Sequence, residues 1–171
     1  HWHDEIETWL QKNGLSGQSV DQVLATPEIE QPLKTELRRL KHRTWHGHLD
    51  HCHGSCLLRD EGVRRHLTRS ILYFDEQRYD VERFVIMPNH VHVLIQMRSD
   101  CLLRKQFREI QRYSAREINS HLGRSGSLWQ SEPFDHVVRS EAQFLYLQQY
   151  IVDNPKKAGL SESDYTLWVR T

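Results

Sequence analysis

The chain predicts an α+β domain in which an antiparallel sheet carries packed helices, and three observations predict it. Residues 79–86 and 90–97 are two β-branched runs joined by the short Pro88-Asn89 turn, a β-hairpin by composition and spacing. Apolar residues recur at helical spacing on both sides of that hairpin, from Asp60 to about Phe74 and from Leu102 to Leu122. A further strand-like run at Phe134–Val138 is followed by a helical pattern. The resulting order of helix, strand, strand, helix and strand suits an antiparallel sheet with its helices on one face.

Each element has a local reason. Asp60 is an N-cap for a helix that buries Val63, Leu67, Ile71 and Leu72. Gly123 is a natural stop for the helix begun near Leu102, and Gly126–Ser131 reads as a loop. Glu141 to about Asp153 reads as a helix ended by Pro155. Residues 1–45 read as polar and helical: Ile6, Trp9 and Leu10 share a face, Gly14 stops that element, and Pro32 precedes a pattern through Leu33, Leu37 and Leu40. The segment His46–Cys56 reads as a loop rich in His and Gly. These features divide the chain into an N-terminal helical insertion, 1–45, and a core, 46–171, with no internal repeat or low-complexity tract.

At 171 residues the chain can bury a core without covalent staples. Cys52, Cys56 and Cys101 are an odd set, with no secretory signal and no long apolar span, which points to a reducing, cytoplasmic setting and away from a membrane. Twenty-three basic residues balance twenty-three acidic ones, so net charge does not advertise a nucleic-acid partner. The balance hides a local stripe: Arg104, Arg108, Arg112 and Arg116 recur at i, i+4. Such a stripe can follow a phosphate backbone or be a solvated face.

Twelve histidines raise the prior on metal or phosphate chemistry. In a strand, His90 and His92 project from one face while Val91, Val93 and Ile95 face the other way. Two neutral imidazoles side by side are half of a divalent metal site, or else two surface residues of an amphipathic edge. The last helix places Tyr150 and Asn154 one turn apart on one face, so a phenol and an amide oxygen can meet the same external point.

Taken in order, Val85-Ile86-Met87-Pro88-Asn89-His90-Val91-His92-Val93-Leu94, Leu128-Trp129-Gln130, Phe134-Asp135-His136-Val137-Val138-Arg139 and Tyr150-Ile151-Val152-Asp153-Asn154-Pro155-Lys156-Lys157-Ala158-Gly159-Leu160 resemble the REP-associated tyrosine transposases. These are IS200-like members of the HUH single-strand endonucleases and transposases, and the resemblance runs from about His46 to Leu160. It implies a ferredoxin-like sheet with the histidines on a central strand. His90 and His92 match the paired histidines that bind the divalent ion, Tyr150 the nucleophile, and Asn154 the polar residue that completes the metal site. The implied substrate is single-stranded DNA with REP hairpins, cut beside the hairpin at a short guide tetranucleotide. The REP-associated branch is more suited to monomers than the related dimers that exchange tyrosine helices.

The residue types suit that chemistry. A phenol has a pKa of about 10 and needs activation near neutral pH. Mg²⁺ or Mn²⁺ held by His90, His92 and Asn154 would polarise the scissile phosphate. Attack by Tyr150 would then leave a 5′-phosphotyrosine and a free 3′-hydroxyl, conserving bond energy without a nucleotide cofactor.

Other assignments stay open at the level of sequence. Tyr113 and Tyr146 are rival nucleophiles, although only Tyr150 pairs with Asn154. His46, His48, Asp50, His51, Cys52, His53 and Cys56 can be read as zinc ligands, but they crowd into one stretch without a second separated pair; the resemblance suits a loop with Gly54 and Leu57 near the site entrance. Trp129 and Gln130 could hold an exposed base, or Trp129 could pack in the core. Arg139 is a candidate phosphate contact, with Asp135 orienting it or His136. A catalytically silent hairpin-binding protein and a phosphodiesterase using water are the competing functions. The family usually opens with a strand bearing a tyrosine and a threonine or arginine, whereas His1 begins what looks like a helix. The expectation is a sheet short of that member, with an edge able to pair with another chain.

Overall fold

The structure, a computed structural model, describes residues 2–50, 55–98, 102–130 and 137–171. The chain divides into two compact units, His1–His53 and Gly54–Thr171.

The first unit contains α1 (Trp2–Lys12), α2 (Val20–Ala25) and α3 (Gln31–Asp50). Ser19 and Gln22 start α2 with a reciprocal cap: the Gln22 N–H donates to Ser19 Oγ at 3.2 Å, and the Ser19 N–H donates to Gln22 Oε1 at 2.7 Å. Ile6, Leu10, Val23 and Leu37 form the buried centre, surrounded by Trp9, Leu15, Val20, Leu24, Ile29 and Leu40. The loop expected from His46 is corrected over its first part, because α3 continues to Asp50. No proline interrupts that stretch, and the single Gly47 costs a helix only about 1 kcal/mol. His51, Cys52, His53 and Gly54 lie outside the described residues, as do the side chains of His46, His48 and Asp50.

The second unit is built on β1 (Tyr79–Ile86), β2 (Val91–Met97) and β3 (Thr166–Val169), all antiparallel in the order β2-β1-β3. Its helices are α4 (Glu61–Leu72), α5 (Leu103–His121) and α6 (Glu141–Lys157). Asp60 caps α4 by accepting the Val63 N–H at 2.9 Å. Pro88 and Asn89 make the expected hairpin turn, closed by the Met87 N–H donating to the His90 carbonyl at 2.9 Å. The architecture is α+β, as the hairpin and helical patterns predict.

Four details of the sequence reading are corrected. The helices lie on both faces: Val63, Leu67 and Ile71 of α4 and Ile118 of α5 pack with Tyr79, Val81, Phe84 and Ile86, while Ile151 of α6 packs with Val85, Met87 and Leu94 on the other side. Both faces of β1 are apolar around Phe84-Val85-Ile86, so one helical layer cannot bury them. Secondly, β1 is central, and the histidine-bearing β2 is an edge strand of the sheet among the described residues. Thirdly, β3 is a strand with no counterpart in the sequence reading; it pairs Phe84 with Trp168 and Val85 with Leu167. Four residues are too short to carry a period, and what fixes β3 is the flat stacking of Trp168 on Phe84, centroids 5.6 Å apart at 5°. Fourthly, Val137 and Val138 are not in a strand, while Phe134, Asp135 and His136 lie outside the described residues.

A β-bulge interrupts the β1–β2 register, where Val81 faces Ile95 and Arg83 faces Leu94 so that Glu82 is the extra residue. Tyr79 and Val81 therefore share a face with Phe84 and Ile86. The buried Arg64 of α4 fastens the ends of the unit together. It donates to the carbonyls of Leu58, Arg59 and Ser163 and to Thr166 Oγ1.

Candidate active site

His90 closes the hairpin turn and His92 follows on β2, their rings nearly perpendicular with centroids 4.7 Å apart. Val91, Val93 and Ile95 go into the core beneath α4 and α5, so both imidazoles face the α6 side, as the alternation predicts. His90 is 8% exposed, which removes the reading of two surface imidazoles.

The hydrogen bonds define what these rings present. His90 Nδ1 lies 2.7 Å from Asn89 Oδ1. An amide oxygen can only accept, so His90 carries its proton on Nδ1 and turns the Nε2 lone pair outward. His92 Nε2 lies 3.5 Å from Asn154 Nδ2. The two Nε2 atoms are 3.0 Å apart. Two ligands at right angles about 2.1 Å from an octahedral ion stand about 3.0 Å apart, so this separation fits a divalent metal. Among the described residues no group of three or more His, Cys, Asp or Glu side chains forms a metal cluster, so an ion here would have to be held by the two imidazoles and an amide.

The amide comes from α6. Ser140 caps that helix by accepting the Gln143 N–H at 3.2 Å, and Phe144, Leu147 and Ile151 dock it on Val85, Met87 and Leu94. Pro155 does not end α6 as expected. Its ring fixes a helical φ, and the helix runs two residues further before Gly159 turns at φ 67°. The Leu160 N–H then donates to the Pro155 carbonyl at 3.0 Å and the Gly159 N–H to Lys156 at 3.1 Å, the Schellman arrangement. Tyr150 and Asn154 point to one place as their spacing predicts. Asn154 is 1% exposed, and the half-buried Tyr150 ring meets the His92 ring edge-on with centroids 5.2 Å apart. The imidazole pair and the Asn154 amide thus adjoin a phenol.

Of the rival tyrosines, one lies in the other helical layer and one beside Tyr150. Tyr113 stacks on Tyr73 at 6.4 Å in the layer that covers the other face of the sheet. Tyr146 is exposed and stacks on Tyr150 at 6.2 Å. Arg104, Arg108, Arg112 and Arg116 are exposed along α5, with Arg116 also 3.4 Å from Glu117. They belong to the helical layer opposite the histidines and do not join them. Trp129 packs against the core, and its Nε1–H donates to Ser114 Oγ at 3.0 Å. Gln130 and Arg139 are exposed, the Arg139 N–H donating to Gln143 Oε1 at 2.9 Å. The Leu58 N–H donates to the Pro88 carbonyl at 3.0 Å, which holds the segment after Cys56 against the histidine turn.

Two residues of the site carry roles that the sequence reading did not give them. Asn89 reads from the sequence only as a turn residue, yet its Oδ1 lies 2.7 Å from His90 Nδ1 and orients that ring. Lys157, seven residues after Tyr150, places its Nζ 5.7 Å from the centre of the Tyr150 ring. Counting two helical turns from the phenol would have found it.

Comparison with known proteins follows the same residues. The family model described as transposase IS200 like matches residues 55–154. An uncharacterized protein of Haemophilus influenzae is 30% identical over 105 residues, covering 49% of this chain and 57% of that protein. The matched region thus spans a little over half the length of that curated relative. No solved structure matches the chain.

Proposed function

Because the chain belongs to the transposase IS200-like family, we propose that it is a metal-dependent single-strand DNA endonuclease and transposase that binds REP hairpins and cuts and rejoins strands through Tyr150. The observation that carries this reading is the meeting of α6 with β2, which sets the Tyr150 ring 5.2 Å from His92 and Asn154 Nδ2 3.5 Å from the same imidazole.

In this mechanism Tyr150 Oη attacks the scissile phosphorus in line. The P–O3′ bond breaks, the phenolic proton passes to solvent, and the departing 3′ oxygen takes up a proton. The products are a 5′-phosphotyrosine and a free 3′-hydroxyl, and a different 3′-hydroxyl can reverse the step to join strands. His90, His92 and Asn154 would hold Mg²⁺ or Mn²⁺, which supplies positive charge at a non-bridging phosphate oxygen when bound. Docking of α6 on Leu94 and Val85 holds the phenol near that position and removes much of the entropy of bringing it there. Arg104, Arg108, Arg112 and Arg116, with Gln130 and Arg139, would contact the DNA outside the reacting centre. Trp129 would act there by supporting its neighbour Gln130 from the core.

Covalent capture tests the reading. Single strands from a pool of imperfect palindromic hairpins are labelled at the 3′ end and incubated with the protein and Mn²⁺. Label should stay on the protein after denaturation, be lost with Tyr150→Phe, and be absent when the label is at the 5′ end. Capture by Tyr150→Phe with loss in Tyr113→Phe would move the nucleophile to the other helical layer. Cleavage without capture would indicate attack by water.

A further inference from the structure

We propose that Lys157 is a phosphate-binding residue of this site, gripping the DNA phosphate beside the one that Tyr150 attacks or that phosphate itself. The inference rests on the reading that Tyr150 is the nucleophile and adds a contact that reading does not contain.

The geometry begins with the helix. At about 100° per residue, Lys157 lies about 20° around α6 from Tyr150, and Asn154 about 40°, so the three form one stripe. Lys156 lies about 120° away. The Lys157 ammonium sits over the Tyr150 ring, 5.7 Å from its centre. A reacting phosphorus about 3 to 3.5 Å beyond the hydroxyl falls within the swing of a lysine side chain anchored on that stripe.

The charge is also available. Asp153 is placed at i−4 to pair with Lys157, the favourable order for such a pair. Instead, Asp153 Oδ1 accepts the Gln149 amide at 2.8 Å, and among the described residues no carboxylate lies within 4.0 Å of Lys157 Nζ. Lys157 is exposed, so its charge keeps its water until a phosphate arrives. Both lysines profit equally from the carbonyl end of the helix, but only Lys157 faces the phenol. That difference separates a ligand contact from a helix-stabilising charge.

The test measures binding of a fluorescein-labelled single strand of mixed sequence to the full chain across a salt series. Tyr150→Phe is the background in every arm, so no strand is consumed. Lys157→Gln should bind roughly tenfold more weakly at low salt, and its slope of log K against log salt should be shallower by about 0.7, the signature of one lost contact to a single strand. Lys157→Arg should restore both, and Lys156→Gln should match the background. Equal behaviour of Lys157→Gln and Lys156→Gln overturns the inference, as does an unchanged slope. If the slope changes but Tyr150→Phe still captures DNA covalently, Lys157 keeps its role and the nucleophile assignment falls. A protein that binds no single strand at any salt overturns both.

Discussion

Asn89 offers the most direct probe of the proposed cation site, because it touches His90 without being a ligand. Asn89→Ala removes the oxygen 2.7 Å from His90 Nδ1. That distance is at the short end for N–H···O bonds, and His90 is only 8% exposed, so water is poorly placed to replace it. The free protein loses about 1 kcal/mol for a neutral bond of this kind. The metal-bound form loses more, since coordination polarises the imidazole and strengthens its N–H as a donor. Outer partners of ligating histidines are worth about 10- to 100-fold in metal affinity. The short, sheltered bond argues for the middle of that range, about 30-fold, or about 2 kcal/mol. Calorimetric titration with Mn²⁺ measures it directly, with Asn89→Asp as a second variant that keeps an acceptor and should bind at least as well as the parent. Unchanged Mn²⁺ affinity in Asn89→Ala would refute the argument that this amide sets the ring's donor atom. Weak binding in all three proteins would refute the cation site itself.

Two further predictions concern stability. Ile151 is 4% exposed and docks α6 on Val85, Met87 and Leu94, so Ile151→Ala should cost about 2 to 4 kcal/mol by urea denaturation; a loss below about 1 kcal/mol would mean that α6 is held by other contacts. Asp60 has its carboxyl held below the ordinary range, first by the Val63 N–H and with help from His121, whose Nε2 is 3.3 Å away. A carboxyl lowered on folding stabilises the fold above its unfolded pKa, and that contribution disappears as pH falls through the folded value. The denaturation midpoint should therefore drop below about pH 4, and Asp60→Asn should flatten that part of the pH profile; an unaltered profile in the variant would show that other carboxylates dominate.

The legible parts of the chain were those with a local cause. Asp60, Gly123 and the Pro88-Asn89 turn act within a few residues, and each stands where its chemistry predicts. The spacings His90 to His92 and Tyr150 to Asn154 likewise depend only on strand and helix periods, so the site's two halves could be drawn separately. What sequence periods do not contain is which faces meet. The pairing of β3 with β1 joins residues as far apart as Phe84 and Trp168, 84 positions, and the choice of two helical layers over one depends on the apolar residues on both sides of β1. Pro155 misled for a related reason. Its local penalty is real, but the burial of Ile151, Asn154 and Pro155 against the sheet holds the helix through it.

The bulge at Glu82 makes one position of β1 surplus to the alternation that sorts the strand's side chains between two helical layers. Upstream of it the odd-numbered Tyr79 and Val81 enter the α4 layer, and downstream the even-numbered Phe84 and Ile86 do. Deleting Glu82 would leave Tyr79, Val81, Phe84 and Ile86 on one unbroken two-residue alternation, whereas deleting Asp80 would turn the start of the strand inside out. Loss of the Glu82 codon should therefore be tolerated, where loss of a codon in the regular part of the strand should not be.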